Sequence, residues 1–98
     1  MPKGYMLSAH RREADPEKRA AYLKLAVPAL KAAGGKIIAS TNNVEARENG
    51  LSQQTVLIEY ESFEAAIAAY DSPDYKQALD ALDGGADRDI RLFEGLDD

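Results

Sequence analysis

No cysteine occurs in the 98 residues, which excludes a disulfide framework, a thiolate nucleophile and a thiolate metal site, and agrees with a reducing compartment. His10 is the only histidine. No site with two imidazole ligands can therefore form within one chain, and no metal is expected. Basic residues are outnumbered, 12 Lys and Arg against 17 Asp and Glu for a net charge of -5. Such a chain repels phosphate backbones, and the short cluster His10-Arg11-Arg12 is too small to reverse this, so no nucleic-acid partner is expected. No apolar run approaches the roughly 20 residues that span a bilayer, and the opening Met-Pro-Lys-Gly-Tyr lacks a signal peptide's apolar core. The expectation is a cytoplasmic protein without a membrane partner. The glycine pairs Gly34-Gly35 and Gly84-Gly85 close helical patterns rather than open them, so there is no phosphate loop, and no cofactor is expected.

What is present suits one globular domain over residues 1–98, with 45% hydrophobic content. A domain of this size buries only a little over 60% of its unfolded surface, so a partner subunit would help it. Gly4 to His10 alternates with a period of two and reads as a strand. Asp15-Pro16 caps a helix whose Tyr22, Leu23, Ala26, Val27, Leu30 and Ala33 recur at helical spacing up to Gly34-Gly35. Pro28 lies inside it and predicts a kink or a break. Lys36 to Thr41 and Thr55 to Tyr60 are strands, joined by a polar stretch with Asn49-Gly50 that predicts extra strand around Val44 and Ala46. Ser62 caps a short helix with Phe63, Ile67 and Tyr70 on one face. The run Tyr70-Asp71-Ser72-Pro73-Asp74-Tyr75 stops it and starts another, with Ser72 as N-cap and Pro73 at the first helical position. Asp89 to Glu94 is the last strand. The order β-α-β-β-α-β is the ferredoxin-like arrangement, an α+β fold with a four-stranded antiparallel sheet and helices on one face.

Gly4-Tyr5, Asp15-Pro16 with Tyr22, Gly34-Gly35, the run from Val56 to Ala66, the Tyr70 to Tyr75 run and Asp89 through Gly95 together resemble the small bacterial family named domain of unknown function 1330. The resemblance covers nearly the whole chain. It implies a dimeric α/β barrel, in which two ferredoxin-like subunits pair sheet to sheet. Relatives in that superfamily include cofactor-free monooxygenases, isomerases and dehalogenases, while the family itself implies no activity. Asn42-Asn43 stands where the family often has a glycine pair, and Asp83 where a basic residue is common. Resemblance thus does not imply an anion pocket.

With the strand order expected for this fold, Tyr5, Leu7, Val56, Ile58, Tyr60, Ile90 and Leu92 are predicted to face the helices. Met6, Ser8, His10, Leu57, Glu59, Arg91 and Phe93 are predicted on the open face, and a homodimer interface through Ser8, Leu57, Glu59, Arg91 and Phe93 follows. There Glu59 and Arg91 would pair and fix register. A pocket between helices and sheet would be lined by Tyr5, Tyr22, Tyr60, Tyr70 and Tyr75, whose hydroxyls could orient a small aromatic or polar ligand. Arg88 could hold a carboxylate or form an exposed ion pair beside Asp87. As a catalytic group His10 could act as a general base, with Tyr70 beside it, or be structural at a strand rim. Three functions stay open: a homodimeric small-molecule-binding or accessory protein, a cofactor-free enzyme acting on a small aromatic or organic acid, and a purely structural partner protein. The acidic residues Glu13, Asp15, Glu17 and the Asp97-Asp98 tail read as solvated surface.

Overall fold

The computed structural model describes residues 2–97. Met1 of the expected domain and Asp98 of the acidic tail lie outside the described residues. The elements run β1 Gly4–His10, α1 Pro16–Ala32, β2 Lys36–Thr41, β3 Thr55–Tyr60, α2 Phe63–Tyr70, α3 Pro73–Leu82 and β4 Arg88–Glu94. All strand pairs are antiparallel, and the sheet order is β2-β3-β1-β4. This is the ferredoxin-like fold, with the second helical segment divided in two. Among the described residues no helix is long and apolar enough to cross a membrane.

The helix ends form where their side chains supply missing backbone partners. Asp15 Oδ1 accepts from the amides of Glu17 and Lys18, both at 3.0 Å, and Pro16 follows at a position whose N–H would be unsatisfied anyway. Ser62 Oγ accepts from Ala65 N at 3.1 Å to start α2. Ser72 Oγ accepts from Tyr75 N at 3.2 Å to start α3 and donates to Ala69 O at 2.9 Å, tying the end of α2 to the start of α3. The helix α1 continues unbroken through Pro28, where Pro28 and Lys24 are both on the exposed side and water can take the carbonyl that the proline leaves unbonded. One local expectation fails. No strand forms at Val44 or Ala46: Ala46 N bonds to Ser52 Oγ at 3.2 Å instead of to a ladder partner, and Glu48 turns the chain at φ 54.

The larger correction concerns β1. Met6 is opposite Ile58 and Leu92, and Ser8 is opposite Val56 and Ile90, so Gly4, Met6, Ser8 and His10 face the helices, and all four are buried. Tyr5 and Leu7 instead share the open face with Leu57, Glu59, Arg91 and Phe93. A shift of one residue inverts a strand's two faces, and the apolar content of Tyr5-Leu7-Ala9 exceeds that of Met6-Ser8-His10, so alternation alone points the wrong way. Ser8 therefore leaves the predicted interface. Gly4 anchors the true orientation: a Cβ there would collide with the Ser62 carbonyl oxygen, so β1 presses its bare backbone against the start of α2. Met6, Ile58, Tyr60, Tyr75, Leu30 and Leu82 are core residues between sheet and helices, each worth about 1.5–3 kcal/mol when an apolar side chain of that size is fully buried.

Candidate functional site

Between α1 and the sheet lies a cavity of about 90 Å³. Its walls pass from polar to apolar in one direction along β1 and α1, while β3 is apolar throughout. Along β1 the sequence is His10, Ser8, Met6; along α1 it is Arg19, Tyr22, Ala26, Leu30; along β3 it is Val56, then Ile58; and Arg88 of β4 is opposite His10 at the polar end. On β1 this follows from the two-residue period, which places same-face side chains roughly 7 Å apart along the strand. On α1 it follows from spacings of three and four residues. The polar end opens into a groove of about 460 Å³ that includes Glu13, Asn42, Gln53 and Gln54, and His10 and Arg19 border both spaces.

Three features mark the polar end. Ser8 is 2% exposed, and its Oγ has no hydrogen-bond partner. Tyr22 and Tyr75 hydroxyls meet at 2.7 Å, and Arg88 Nη1 donates to the Tyr22 hydroxyl at 3.1 Å while its guanidinium lies 5.0 Å from the centre of the Tyr22 ring. A cation so placed is held by the ring's electron-rich face as well as by the hydrogen bond. Third, the arginines divide by location. Arg11 and Arg12 approach Asp87, Arg47 pairs with Glu45, and Arg91 pairs with Asp89. Among the described residues the two arginines without a carboxylate partner are Arg19 and Arg88, the two that line the cavity. No Asp or Glu lines it.

Burial, then the nearby charges of Arg19 and Arg88, lower the His10 pKa below its ordinary 6.5, so the imidazole is held as the free base at neutral pH. Burial, and then Tyr22 and its hydrogen bond, push the Tyr75 phenol above its ordinary value. The chain Tyr75–Tyr22–Arg88 thus runs from a protonated Tyr75 phenol to a fixed cation.

The predicted residues are dispersed by this geometry. Tyr22 and Arg88 border the cavity, and His10 is inside the polar end, 5% exposed rather than at a solvated rim. Tyr60 and Tyr75 are fully buried core around it, and Tyr70 packs 5.0 Å from Tyr75 without lining the space. Tyr5 does not belong to the pocket: it stacks on Phe93 at 5.5 Å on the open face. There Glu59 meets Lys3 at 3.8 Å and Tyr5 OH at 3.4 Å, and Arg91 turns to Asp89, so the expected Glu59–Arg91 pair is not made within the protomer. Arg88 forms no exposed ion pair, because Asp87 is taken by Arg11 and Arg12. Asp83 points to Lys18 at 3.4 Å and is outside the cavity lining. Arg19 was not among the predicted residues, although its position three before Tyr22 and seven before Ala26 already set it on the buried stripe of α1.

Solved structures share this architecture. A protein of unknown function from Rhodopseudomonas palustris superposes with a TM-score of 0.73 at 19% identity, covering 99% of this chain and 85% of its own. SnoaB, a cofactor-independent oxygenase from Streptomyces nogalater, gives 0.59 at 15% identity over 99% of this chain and 95% of its own. A candidate antibiotic biosynthesis monooxygenase from Caulobacter crescentus gives 0.58 at 16% identity over 98% and 91%. At such identities the likeness is one of fold, that of the dimeric α/β barrels. No curated protein matches the sequence. The family model described as Domain of unknown function (DUF1330) matches residues 3–96, nearly the full length, and the chain belongs to that family.

Proposed function

We propose that this is a cytoplasmic, single-domain homodimer that binds a small molecule in the cavity between α1 and the sheet. The Ser8 hydroxyl carries this reading. A buried polar group without a partner costs about 1–3 kcal/mol, and a ligand atom seated against Ser8 would remove that cost. Native mass spectrometry of gently purified protein is expected to detect a small organic molecule released on unfolding. An empty protein whose cavity also refuses a small apolar probe, xenon followed by NMR, would overturn the reading.

Support for pairing comes from the open sheet face. It carries Tyr5, Leu7, Leu57 and Phe93 with Glu59 and Arg91, and Phe93 is 40% exposed. A mixed apolar face of this kind calls for a cover, and a second copy supplies the burial that a short chain lacks. Light scattering is expected to give a dimer mass at micromolar concentration and a monomer mass for Phe93→Asp. A monomeric parent protein would refute the pairing.

The second reading is a cofactor-free enzyme of the monooxygenase or isomerase kind. A specific observation favours keeping it: the free-base imidazole of His10 in a largely apolar space could take a proton from a substrate. Turnover of a small aromatic or carboxylate compound that falls about 100-fold in His10→Ala would establish it. Tyr70, outside the lining, has no such role in this reading.

A further inference from the structure

We propose that the ligand is a small monocarboxylic acid with a wholly apolar body, its carboxylate seated among Ser8, Arg19 and Arg88 at the polar end and its tail directed toward Met6 and Ile58. The inference deepens the binding reading and rests on it. Its basis is an imbalance of charge in an acidic protein. With 17 acidic residues against 12 basic, carboxylates are in surplus, and the other four arginines each have one within 4.0 Å. Among the described residues Arg19 and Arg88 have none, although both are partly buried. Withdrawing guanidinium groups from water without an anion is unfavourable, and an incoming carboxylate would complete them with charge-assisted hydrogen bonds. Ser8 Oγ, buried and unpartnered, adds a neutral donor at the same end.

The rest of the cavity sets the other half of the molecule. Past Ser8 the lining is Met6, Ala26, Val27, Leu30, Ile37 and Ile58, all apolar, while the Ser40 hydroxyl is level with Ser8 across Val56 and already accepts from Gln54 Nε2 at 3.2 Å. Size limits the tail. An apolar cavity of about 150 Å³ admits benzene, so about 90 Å³ suits a tail of roughly four carbons by the same measure. Inorganic phosphate would satisfy the arginines but leave this apolar end unfilled, and a neutral molecule of the same shape would leave the arginines unpaired.

Isothermal titration calorimetry of the full chain at pH 7 with pentanoate, pentanamide and inorganic phosphate tests each half. Pentanoate is expected to bind, with pentanamide and phosphate each weaker by about tenfold or more, the scale of a hydrogen bond to a charged group. Arg88→Met also strips Tyr22 of a partner, so Arg19→Met on α1 is the cleaner variant. It should weaken pentanoate by about tenfold and leave pentanamide unmoved. Equal binding of pentanoate and pentanamide, or an Arg19→Met protein that binds pentanoate as the parent does, would overturn the anionic head. Phosphate matching pentanoate would overturn the apolar tail. If neither organic compound binds while xenon still enters the cavity by NMR, this inference falls and the binding reading stands; if xenon is also refused, both fall.

Discussion

Removing the Tyr22 hydroxyl should be costly, and removing the Tyr75 hydroxyl as well should add almost nothing. The two oxygens are 2.7 Å apart, and Tyr75 is 0% exposed, so Tyr22→Phe leaves a buried phenol without its partner and deprives Arg88 of its acceptor. An orphaned buried group costs about 1–3 kcal/mol, and about 2 kcal/mol is expected here. Tyr75→Phe is milder, about 1 kcal/mol, because Tyr22 keeps Arg88 and borders a space that water can enter. In the double variant both hydroxyls are gone and no phenol is stranded, so its loss should equal that of Tyr22→Phe, giving a coupling of about 1 kcal/mol. The assay is urea unfolding at one fixed protein concentration, since self-association, where it occurs, makes the midpoint depend on concentration. With slopes of about 1–3 kcal/mol per molar urea, Tyr22→Phe should move the midpoint by about 1 M. Losses that add to within about 0.3 kcal/mol would show that the pair is two independent side chains, and the description of the polar end as one connected chain would be wrong.

Other outcomes follow from single features. Gly4→Ala should destabilise by about 1–3 kcal/mol or more, because the added methyl meets the Ser62 backbone rather than a movable side chain; an unchanged melting midpoint would refute the close packing of β1 on α2. Ser72→Ala, which loses the cap bond to Tyr75 N, should cost about 1 kcal/mol, lowering the midpoint by about 4–8 °C with the assembly unchanged. Burial, and then Tyr22, raise the Tyr60 pKa from 10.0 to about 12. The folded protein therefore holds that proton more tightly than the unfolded chain, and this share of stability is full below pH 10 and lost as pH rises toward 12. Alkaline unfolding should flatten in Tyr60→Phe, and an identical profile would contradict the assignment.

The helix punctuation was readable because its chemistry is local. Asp15-Pro16, Ser62 and Ser72-Pro73 each act within three residues, and each does so in the structure. The faces of β1 were not readable, because GYMLSAH carries apolar residues on both sides and the decision is made elsewhere. Gly4 must meet α2, while Tyr5 and Leu7 go to the open face. Ser8 and His10 looked like surface residues by polarity, yet polarity at those positions belongs to a cavity. Tyr22 and Arg88 were suspected and do border the cavity, but the hydroxyl contact from Tyr22 to Tyr75 joins residues 53 apart, and no spacing rule reports a contact across that distance. Arg19 could have been found by extending the α1 stripe one turn back from Tyr22. That two arginines lack acidic partners could not be known until every ion pair was placed.

Arg88 is flanked by Asp87 and Asp89, and its inward position depends on how β4 is threaded beside β1, with His10 opposite Arg88. Because alternate residues of a strand face opposite sides, deleting or inserting one residue in the connection before β4 would put an aspartate where the guanidinium now is. The sign of the mouth is thus a matter of phase rather than of composition: the same amino acids, slid by one step, would turn a place suited to acids into one suited to amines.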